Sequence, residues 1–286
     1  MYSSVSLQGA CGVIDHTNAT FTTLWGPKDG FSTWSIVVDG GVDILFYNAT
    51  TGKSVIGQLD PSGVFINTQP IPDGQIGPGW TNITFHKGFY LFYNKHNGFA
   101  AVGNMKGSDF HTYNTWNGSF SRHWTQITST PNGLVFYNKQ SGSVVTADWE
   151  VVRSGPGFGE ITQVNIKTLQ SYPSGFATGW THVVNTSNGL LFYRRDSGLS
   201  VMANVDFDGS VMTRPSSHAT LPMGYDSIVS QNDDVLLYTK KNGNVAFGGF
   251  PTAGFFNGLV IRAKYKAYLP PGWTTIVATV DPPSGP

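Results

Sequence analysis

Apolar and polar residues recur along this chain at intervals of roughly 45–55 residues. Each repeat begins with an aromatic residue that is followed two or three positions later by Ile or Val. About ten residues further on comes a second apolar block, most often Leu-Phe-Tyr-Asn, with a Gly shortly after it. The opening residues are Trp34, Trp80, Trp124, Trp180, Tyr225 and Trp273. The tyrosines of the second blocks are Tyr47, Tyr93, Tyr137, Tyr193 and Tyr238.

The repeat that begins at Trp80 shows the predicted elements most clearly. Alternating apolar and polar residues predict strands over 80–86, 89–93, 99–104 and 110–115, and no stretch has a helical period. A short four-stranded unit cannot bury its own apolar face, so it must pack against its neighbours. This unit is therefore interpreted as one blade of a β-propeller.

The two chain ends decide the number of blades. The segment 273–278 predicts a first strand with no successor, and the N-terminal segment aligns with strands two to four of a blade. In that alignment Val5–Gln8 takes the place of Leu45–Asn48. We predict an all-β, six-bladed propeller of four-stranded antiparallel blades, formed by residues 1–286 as a single domain and closed by one blade shared between both ends. A five-bladed ring with a loose N-terminal segment is the alternative.

The turn after the second block has the form Asn-x-x-x-Gly. It is complete at Asn48, Asn94 and Asn138, whereas Arg194 and Thr239 replace the Asn in later repeats and the Gly stays. This pattern predicts that backbone geometry requires the Gly, and that the Asn side chain bonds to its own turn.

Composition excludes several classes of protein. The net charge is zero, charged residues are only 12% of the chain and no basic run occurs, so nucleic acid is not an expected partner. No apolar run has the length of a membrane span, and the first residues do not have the pattern of a signal peptide. We expect a soluble protein that does not insert into membranes and is either cytoplasmic or secreted in a mature form.

No known catalytic or metal-binding motif is found in the sequence. The seven histidines are scattered without ligand spacing, no Gly-x-Ser-x-Gly occurs, and the 17 acidic residues do not recur at one position of the repeat. We therefore expect no enzymatic activity and no cofactor. A metal-dependent hydrolase or lactonase that uses the central channel is the less favoured alternative.

The residues that do recur are aromatic or polar and uncharged, as is typical of sites for neutral carbohydrate. Packing between blades would produce the same aromatic pattern. The candidate sugar-binding residues are Trp34, Trp80, Trp124, Trp180, Tyr225, Trp273, Asn48, Asn94, Asn138, Tyr47, Tyr93, Tyr137 and Tyr193.

The paired motifs Gly-Trp-Thr-x-Ile and Leu-Phe-Tyr-Asn-x-x-x-Gly resemble the tachylectin-like propeller repeats along essentially the whole chain. The resemblance implies a sugar-binding propeller with several equivalent sites and no catalytic activity. The chain lacks the Gly-x-Asp-Gly-x-Val-Trp strand of tectonin-type repeats and the recurring Arg and Glu of fucose-binding propellers. We expect a multivalent lectin whose partners are glycans or glycoproteins on cell surfaces. A propeller that binds proteins is the alternative.

Overall fold

The structure is a computed structural model that describes residues 1–4, 6–15, 20–28, 32–60, 62–155, 159–214, 219–231, 234–250, 259–266 and 268–278. Within these ranges the chain forms strands, turns and loops but no helix. No helical segment long and apolar enough to cross a membrane is therefore present among the described residues.

The strands form six small antiparallel sheets. The first holds β1 (Tyr2–Ser3), β2 (Gln8–Asp15) and β3 (Thr20–Lys28). Blade 1 holds β4 (Ile36–Asp39), β5 (Ile44–Tyr47), β6 (Ser54–Leu59) and β7 (Phe65–Ile71). Blade 2 holds β8 (Asn82–His86), β9 (Phe89–Asn94), β10 (Phe99–Lys106) and β11 (Asp109–Trp116). Blade 3 holds β12 (Gln126–Thr130), β13 (Gly133–Tyr137), β14 (Val144–Arg153) and β15 (Ile161–Tyr172).

Blade 4 holds β16 (His182–Thr186), β17 (Gly189–Tyr193), β18 (Leu199–Val205), β19 (Val211–Thr213) and β20 (Ala219–Thr220). Blade 5 holds β21 (Ser227–Gln231), β22 (Asp234–Tyr238), β23 (Val245–Gly249) and β24 (Val260–Tyr265). The predicted six-bladed propeller of four-stranded antiparallel blades is confirmed.

The sixth blade combines both chain ends, as the sequence predicts. The backbone N–H of Tyr2 donates to the carbonyl of Thr275 at 2.8 Å, and the N–H of Thr274 donates to the carbonyl of Tyr2 at 2.8 Å. The alignment of Val5–Gln8 with the second strand is wrong, because Tyr2–Ser3 forms that strand. The third and fourth strands, β2 and β3, contain the segments assigned to them from the sequence.

The hydrophobic core lies between the blades. Each sheet is too small to have an interior of its own, so its apolar face is buried against the next sheet. Six clusters of buried residues each combine side chains from two neighbouring blades. At the interface of blades 2 and 3, for example, Leu91 and Tyr93 pack with Leu134 and Phe136.

The first strands of successive blades contact one another around the centre of the ring, and polar side chains join them. The hydroxyl of Thr84 donates to the carbonyl of Ile127 at 3.1 Å, and that of Thr128 donates to the carbonyl of Val183 at 2.6 Å. Both bonds connect a first strand to the first strand of the following blade. They bring residues more than forty positions apart into fixed contact.

The ring has two unlike faces. The opening aromatic residues and the Asn-x-x-x-Gly turns lie on one side, which we call the Trp face. The turns that join first to second and third to fourth strands lie on the other side, which we call the hairpin face. The β14–β15 hairpin extends beyond blade 3 at the hairpin face and leans on blade 2, where Val164 packs against Phe89 and Val102. This hairpin accounts for the extra length of the third repeat.

Candidate functional site

The tyrosines of the second blocks hold neighbouring blades together. Tyr47, Tyr93, Tyr137, Tyr193 and Tyr238 are fully buried. The hydroxyl of Tyr93 donates to the carbonyl of Ser121 at 2.9 Å and accepts the backbone N–H of Trp124 at 3.2 Å. The other four tyrosines make the same pair of bonds to the loop that precedes the next opening residue. Both capacities of each hydroxyl are thus used inside the protein.

The opening aromatic residues also lie in the interfaces. Trp124, Trp180, Tyr225 and Trp273 are buried, whereas Trp34 and Trp80 are half-buried. Four of the Trp rings pack on the Phe of the second strand in their own blade, at centroid distances of 5.8–5.9 Å. These rings serve packing, which is the alternative explanation that their periodicity left open.

The three asparagines fix their own turns, as predicted. The side-chain amide of Asn94 donates to the carbonyl of Gly79 at 2.8 Å, and its oxygen accepts the N–H of His96 at 2.9 Å. Asn48 makes the same two kinds of bond, and Asn138 accepts the N–H of Gln140. In blade 4 the guanidinium of Arg194 takes the place of the amide by donating to the carbonyl of Thr178.

A chain of three polar side chains joins blades 2 and 3 at the hairpin face. His86 ends β8, and its Nδ1 lies 2.9 Å from the Oγ of Ser129 in β12. Its Nε2 lies 3.1 Å from the Oδ1 of Asp148 in β14. A hydroxyl, an imidazole and a carboxylate in hydrogen-bonded series are the three groups, in the order, of a nucleophile, a general base and the acid that orients the base. The ring nitrogens are exchanged relative to Ser-His-Asp hydrolases, because Ser129 faces Nδ1 and Asp148 faces Nε2.

Asp148 is held by several donors. Oδ2 accepts the ammonium of Lys87 at 2.6 Å, and Oδ1 accepts the backbone N–H of Trp149 at 2.8 Å. Desolvation tends to raise the pKa of Asp148, but these bonds and the one to His86 outweigh it and hold the pKa below its ordinary value. The carboxylate is therefore ionised near neutral pH and can only accept a proton. This fixes the proton of His86 on Nε2 and leaves Nδ1 free to accept the Ser129 hydroxyl.

The imidazole of His86 is kept neutral by its surroundings. Its side chain is 1% exposed, and this burial lowers its pKa in spite of the opposing effect of Asp148. The indole of Trp149 covers it at a centroid distance of 6.1 Å and donates from Nε1 to the carbonyl of His86 at 2.8 Å. Ser129 and Asp148 are both half-buried, whereas His86 is buried. A neutral base hydrogen-bonded to a half-buried serine is what nucleophilic catalysis requires.

The extended hairpin positions this site. Asp148 and Trp149 follow the point where β14 passes the end of β13, and the hairpin's contact with blade 2 brings both residues to His86. Trp149 lies within a strand and contacts His86, and it owes that position to the insertion in the third repeat.

The site also interrupts the repeat. In blades 3 and 4 the position of His86 is held by Thr130 and Thr186, whose hydroxyls donate to a carbonyl of their own hairpin. His86 instead crosses to the next blade. The equivalent positions in blades 1 and 5 hold Gly40 and Gln231, so no single residue type holds this position around the ring and the repeat pattern could not single out His86. The long third repeat was the available signal.

Among the described residues, no group of three or more His, Cys, Asp or Glu side chains is arranged to hold a metal ion. No family model matches the chain, and no curated protein matches it in sequence. The resemblance to tachylectin-like repeats therefore stays a prediction.

Solved structures do share the fold. A protein from Lactobacillus plantarum is 14% identical with a TM-score of 0.54, over 92% of this chain and 80% of that one. A candidate 6-phosphogluconolactonase from Bacteroides fragilis is 10% identical with a TM-score of 0.54, over 93% and 78%. The periplasmic gluconolactonase PpgL of Pseudomonas aeruginosa is 12% identical with a TM-score of 0.53, over 93% and 96%.

At these identities the likeness shows the propeller fold alone. The activities named belong to those proteins, but they are activities of gluconolactonases and not of lectins. This finding contradicts our expectations of a multivalent lectin and of a protein without enzymatic activity. Four of the six opening aromatic residues and the five tyrosines of the second blocks are buried, and the hydroxyls of these five tyrosines are bonded between blades.

Proposed function

We propose that this chain is a hydrolase of small cyclic esters, with Ser129 as nucleophile, His86 as general base and Asp148 as the acid that orients His86. The observation that carries the proposal is the hydrogen-bonded series from Ser129 Oγ through His86 to Asp148 Oδ1. Lactones are the favoured substrates because named propellers of the same fold are gluconolactonases.

The proposed reaction has two steps. In the first, the Oγ of Ser129 attacks the lactone carbonyl carbon while its proton passes to Nδ1 of His86. The ring C–O bond breaks, and His86 returns that proton to the departing oxygen, which stays attached to the acyl group.

In the second step, water attacks the acyl carbon and gives a proton to His86. The bond to Ser129 breaks, Oγ regains its proton, and a hydroxy acid leaves. During both steps His86 carries a transient positive charge, which Asp148 stabilises at 3.1 Å.

The proposal is tested by measuring acid release from glucono-δ-lactone and γ-butyrolactone with a pH indicator. We expect wild-type turnover above the buffer rate and at least a hundredfold loss in Ser129→Ala. Ser230→Ala is the matched control, because Ser230 occupies the same strand position in blade 5 and its hydroxyl donates to the carbonyl of Asp234. Equal turnover by Ser129→Ala and wild type, or no turnover of either lactone by the wild type, would overturn the proposal.

A fluorophosphonate probe supplies a second readout that does not depend on the choice of lactone. Such probes phosphonylate a serine whose proton is removed by a neighbouring base: the Oγ–P bond forms and fluoride leaves. We expect the label on the peptide that contains Ser129, and its loss in His86→Gln. Labelling of other serines alone would count against this assignment.

A further inference from the structure

Four cations lie at one structural position in four consecutive blades. The residue that follows Asn, Arg or Thr at the start of each Asn-x-x-x-Gly turn is Lys95, Lys139, Arg195 or Lys240 in blades 2 to 5. In blade 1 it is Ala49, and in the shared blade it is Ser4. All four cationic side chains are exposed on the Trp face. We call them the basic arc.

The backbone of each cation is fixed in the same way. The N–H of Lys95 donates to the Oγ1 of Thr81 at 2.9 Å, and its carbonyl accepts the N–H of His123 at 3.1 Å. Equivalent N–H bonds hold the other members of the ring, with Thr125, Thr181 and Asp226 as acceptors in blades 3 to 5. Because the same bonds recur in successive blades of one ring, the backbone of each arc member holds an equivalent position on that face.

Other charges strengthen the arc. Arg195 forms an ion pair with Asp226 at 2.7 Å, whereas no acid of the described residues lies within ion-pair distance of the other three ammonium groups. The exposed cations Lys53, Arg122 and Lys241 lie on the same side. Of the described acids only Asp73, Asp196 and Asp226 are found there. The neutral net charge of the chain therefore conceals a basic face.

The opposite face is acidic. Asp60, Asp206 and Asp208 lie in its turns between third and fourth strands, Asp109 begins a fourth strand there, and Asp148 belongs to the candidate site. The separation of basic and acidic faces is not visible in the sequence as a run of basic residues, because the members of the arc lie about 45–55 residues apart. The repeat gathers them on one face.

We propose that the Trp face docks peripherally on an anionic lipid bilayer. Cationic side chains that start from equivalent positions around one face can meet a planar anionic surface together, whereas a small anion reaches only one of them. Met223, which is 65% exposed on the loop before Tyr225, adds an apolar side chain on this face. A second copy of the chain is less suitable as the partner, because the β14–β15 hairpin projects from its acidic face and would hold two rings apart.

Vesicle sedimentation tests this docking. We expect the wild type to sediment with vesicles of phosphatidylcholine and phosphatidylserine at 7:3 in low salt, but not with phosphatidylcholine alone. Sedimentation should fall steeply between 50 and 300 mM NaCl, because salt screens the attraction. Absence of wild-type sedimentation with the anionic vesicles at low salt would overturn the proposal.

Two triple variants with the same change in net charge separate the face from the total charge. Lys95→Glu, Lys139→Glu and Lys240→Glu together should lower the vesicle partition coefficient by more than about tenfold. Lys106→Glu, Arg153→Glu and Lys167→Glu, which lie away from the Trp face, should lower it by less than about threefold. Equal losses, or no loss in the first triple, would contradict the assignment. Circular dichroism melting establishes that both triples fold.

Sedimentation velocity without lipid tests the second copy. The proposal expects a monomer at the concentrations used with vesicles. Self-association that the first triple abolishes, without wild-type binding to the anionic vesicles, would assign the basic arc to contacts between copies and overturn the membrane proposal.

Discussion

The hydroxyl of Tyr2 accepts the backbone N–H of Trp34 at 2.8 Å and donates to the carbonyl of Ser32 at 2.7 Å. These are the bonds that the five internal tyrosines make to the following blade, so Tyr2 is the sixth member of their series. The backbone N–H of Ser4 likewise donates to the Oγ1 of Thr274, as its counterparts do around the ring. The junction between the two chain ends thus reproduces an ordinary blade.

We predict that Tyr2→Phe lowers the free energy of unfolding by about 1–2 kcal/mol, because it removes both bonds of a buried hydroxyl. Urea unfolding followed by tryptophan fluorescence measures the change. Tyr113→Phe is the control, because its ring packs on Phe89 without a hydrogen bond of its hydroxyl among the described residues, and its effect should be within about 0.5 kcal/mol. Equal effects of the two substitutions would show that the hydroxyl of Tyr2 does not contribute to ring closure.

Tyr2 also shows which features of the ring closure the sequence predicts and which it does not. The blade count followed from the spacing of the opening residues and from the order of strands at both ends, because turns and alternation are local. The register of the N-terminal strand could not be predicted from the sequence. β1 has only two residues, which is too short for its sequence to be aligned with the other blades. Tyr2 is recognised only by its bonds to residues 30 and 32 positions away.

The candidate site was beyond sequence analysis for a related reason. Ser129 and Asp148 lie 43 and 62 residues from His86, and none of the three stands in a local motif. The basic arc is likewise distributed over four repeats. In a repeat protein the spacing reveals the scaffold, whereas chemistry that is assembled between blades depends on which faces the ring brings together.

The glycines of the Asn-x-x-x-Gly turns permit a second stability prediction. Gly142 has a φ of +72°, and an added Cβ would stand 2.1 Å from the carbonyl oxygen of Phe176. Gly107 has a similar φ of +67° but has nothing within 4 Å of that position. The two sites therefore share the backbone strain of a side chain at positive φ and differ in the clash.

We expect Gly107→Ala to lower the free energy of unfolding by about 1 kcal/mol, and Gly142→Ala to lower it by at least about 2 kcal/mol more. Chemical denaturation of the two variants under the same conditions measures the difference. If both substitutions lower the free energy of unfolding by the same amount, the close contact with the carbonyl oxygen of Phe176 is not the reason that this turn requires Gly.

Asp148→Asn tests the orienting role within the proposed hydrolase. The amide can donate to Nε2 of His86, which would favour the tautomer whose Nδ1 carries the proton and cannot accept from Ser129. We expect at least a hundredfold lower kcat, with KM changed by less than about threefold. Asp109→Asn is the control because Asp109 is exposed at the start of β11 in blade 2. Full activity in Asp148→Asn would remove Asp148 from the mechanism, and loss of folded protein would be detected by near-UV circular dichroism.

The burial of His86 predicts a pH dependence of stability. Because burial lowers the pKa of His86 below its ordinary value of 6.5, the unfolded chain binds a proton near pH 6 that the folded chain resists. The contribution of neutral His86 is therefore complete above pH 6.5, and it diminishes as the pH falls from 6.5 towards the pKa of the folded state. A single proton changes the free energy of unfolding by at most about 1.4 kcal/mol per pH unit.

We expect the wild type to lose more stability than His86→Gln between pH 7.5 and 5.5, as measured by urea unfolding at each pH. His111→Gln, which alters an exposed histidine in blade 2, should lose as much as the wild type. The same titration links stability to the proposed catalysis, since protonated His86 cannot accept the Ser129 proton. The acid limb of kcat/KM should accordingly lie below pH 6.5. An acid limb above pH 6.5 would mean that burial does not lower the pKa of His86 in the active protein. That result would count against the proposed base whatever the stability measurements show.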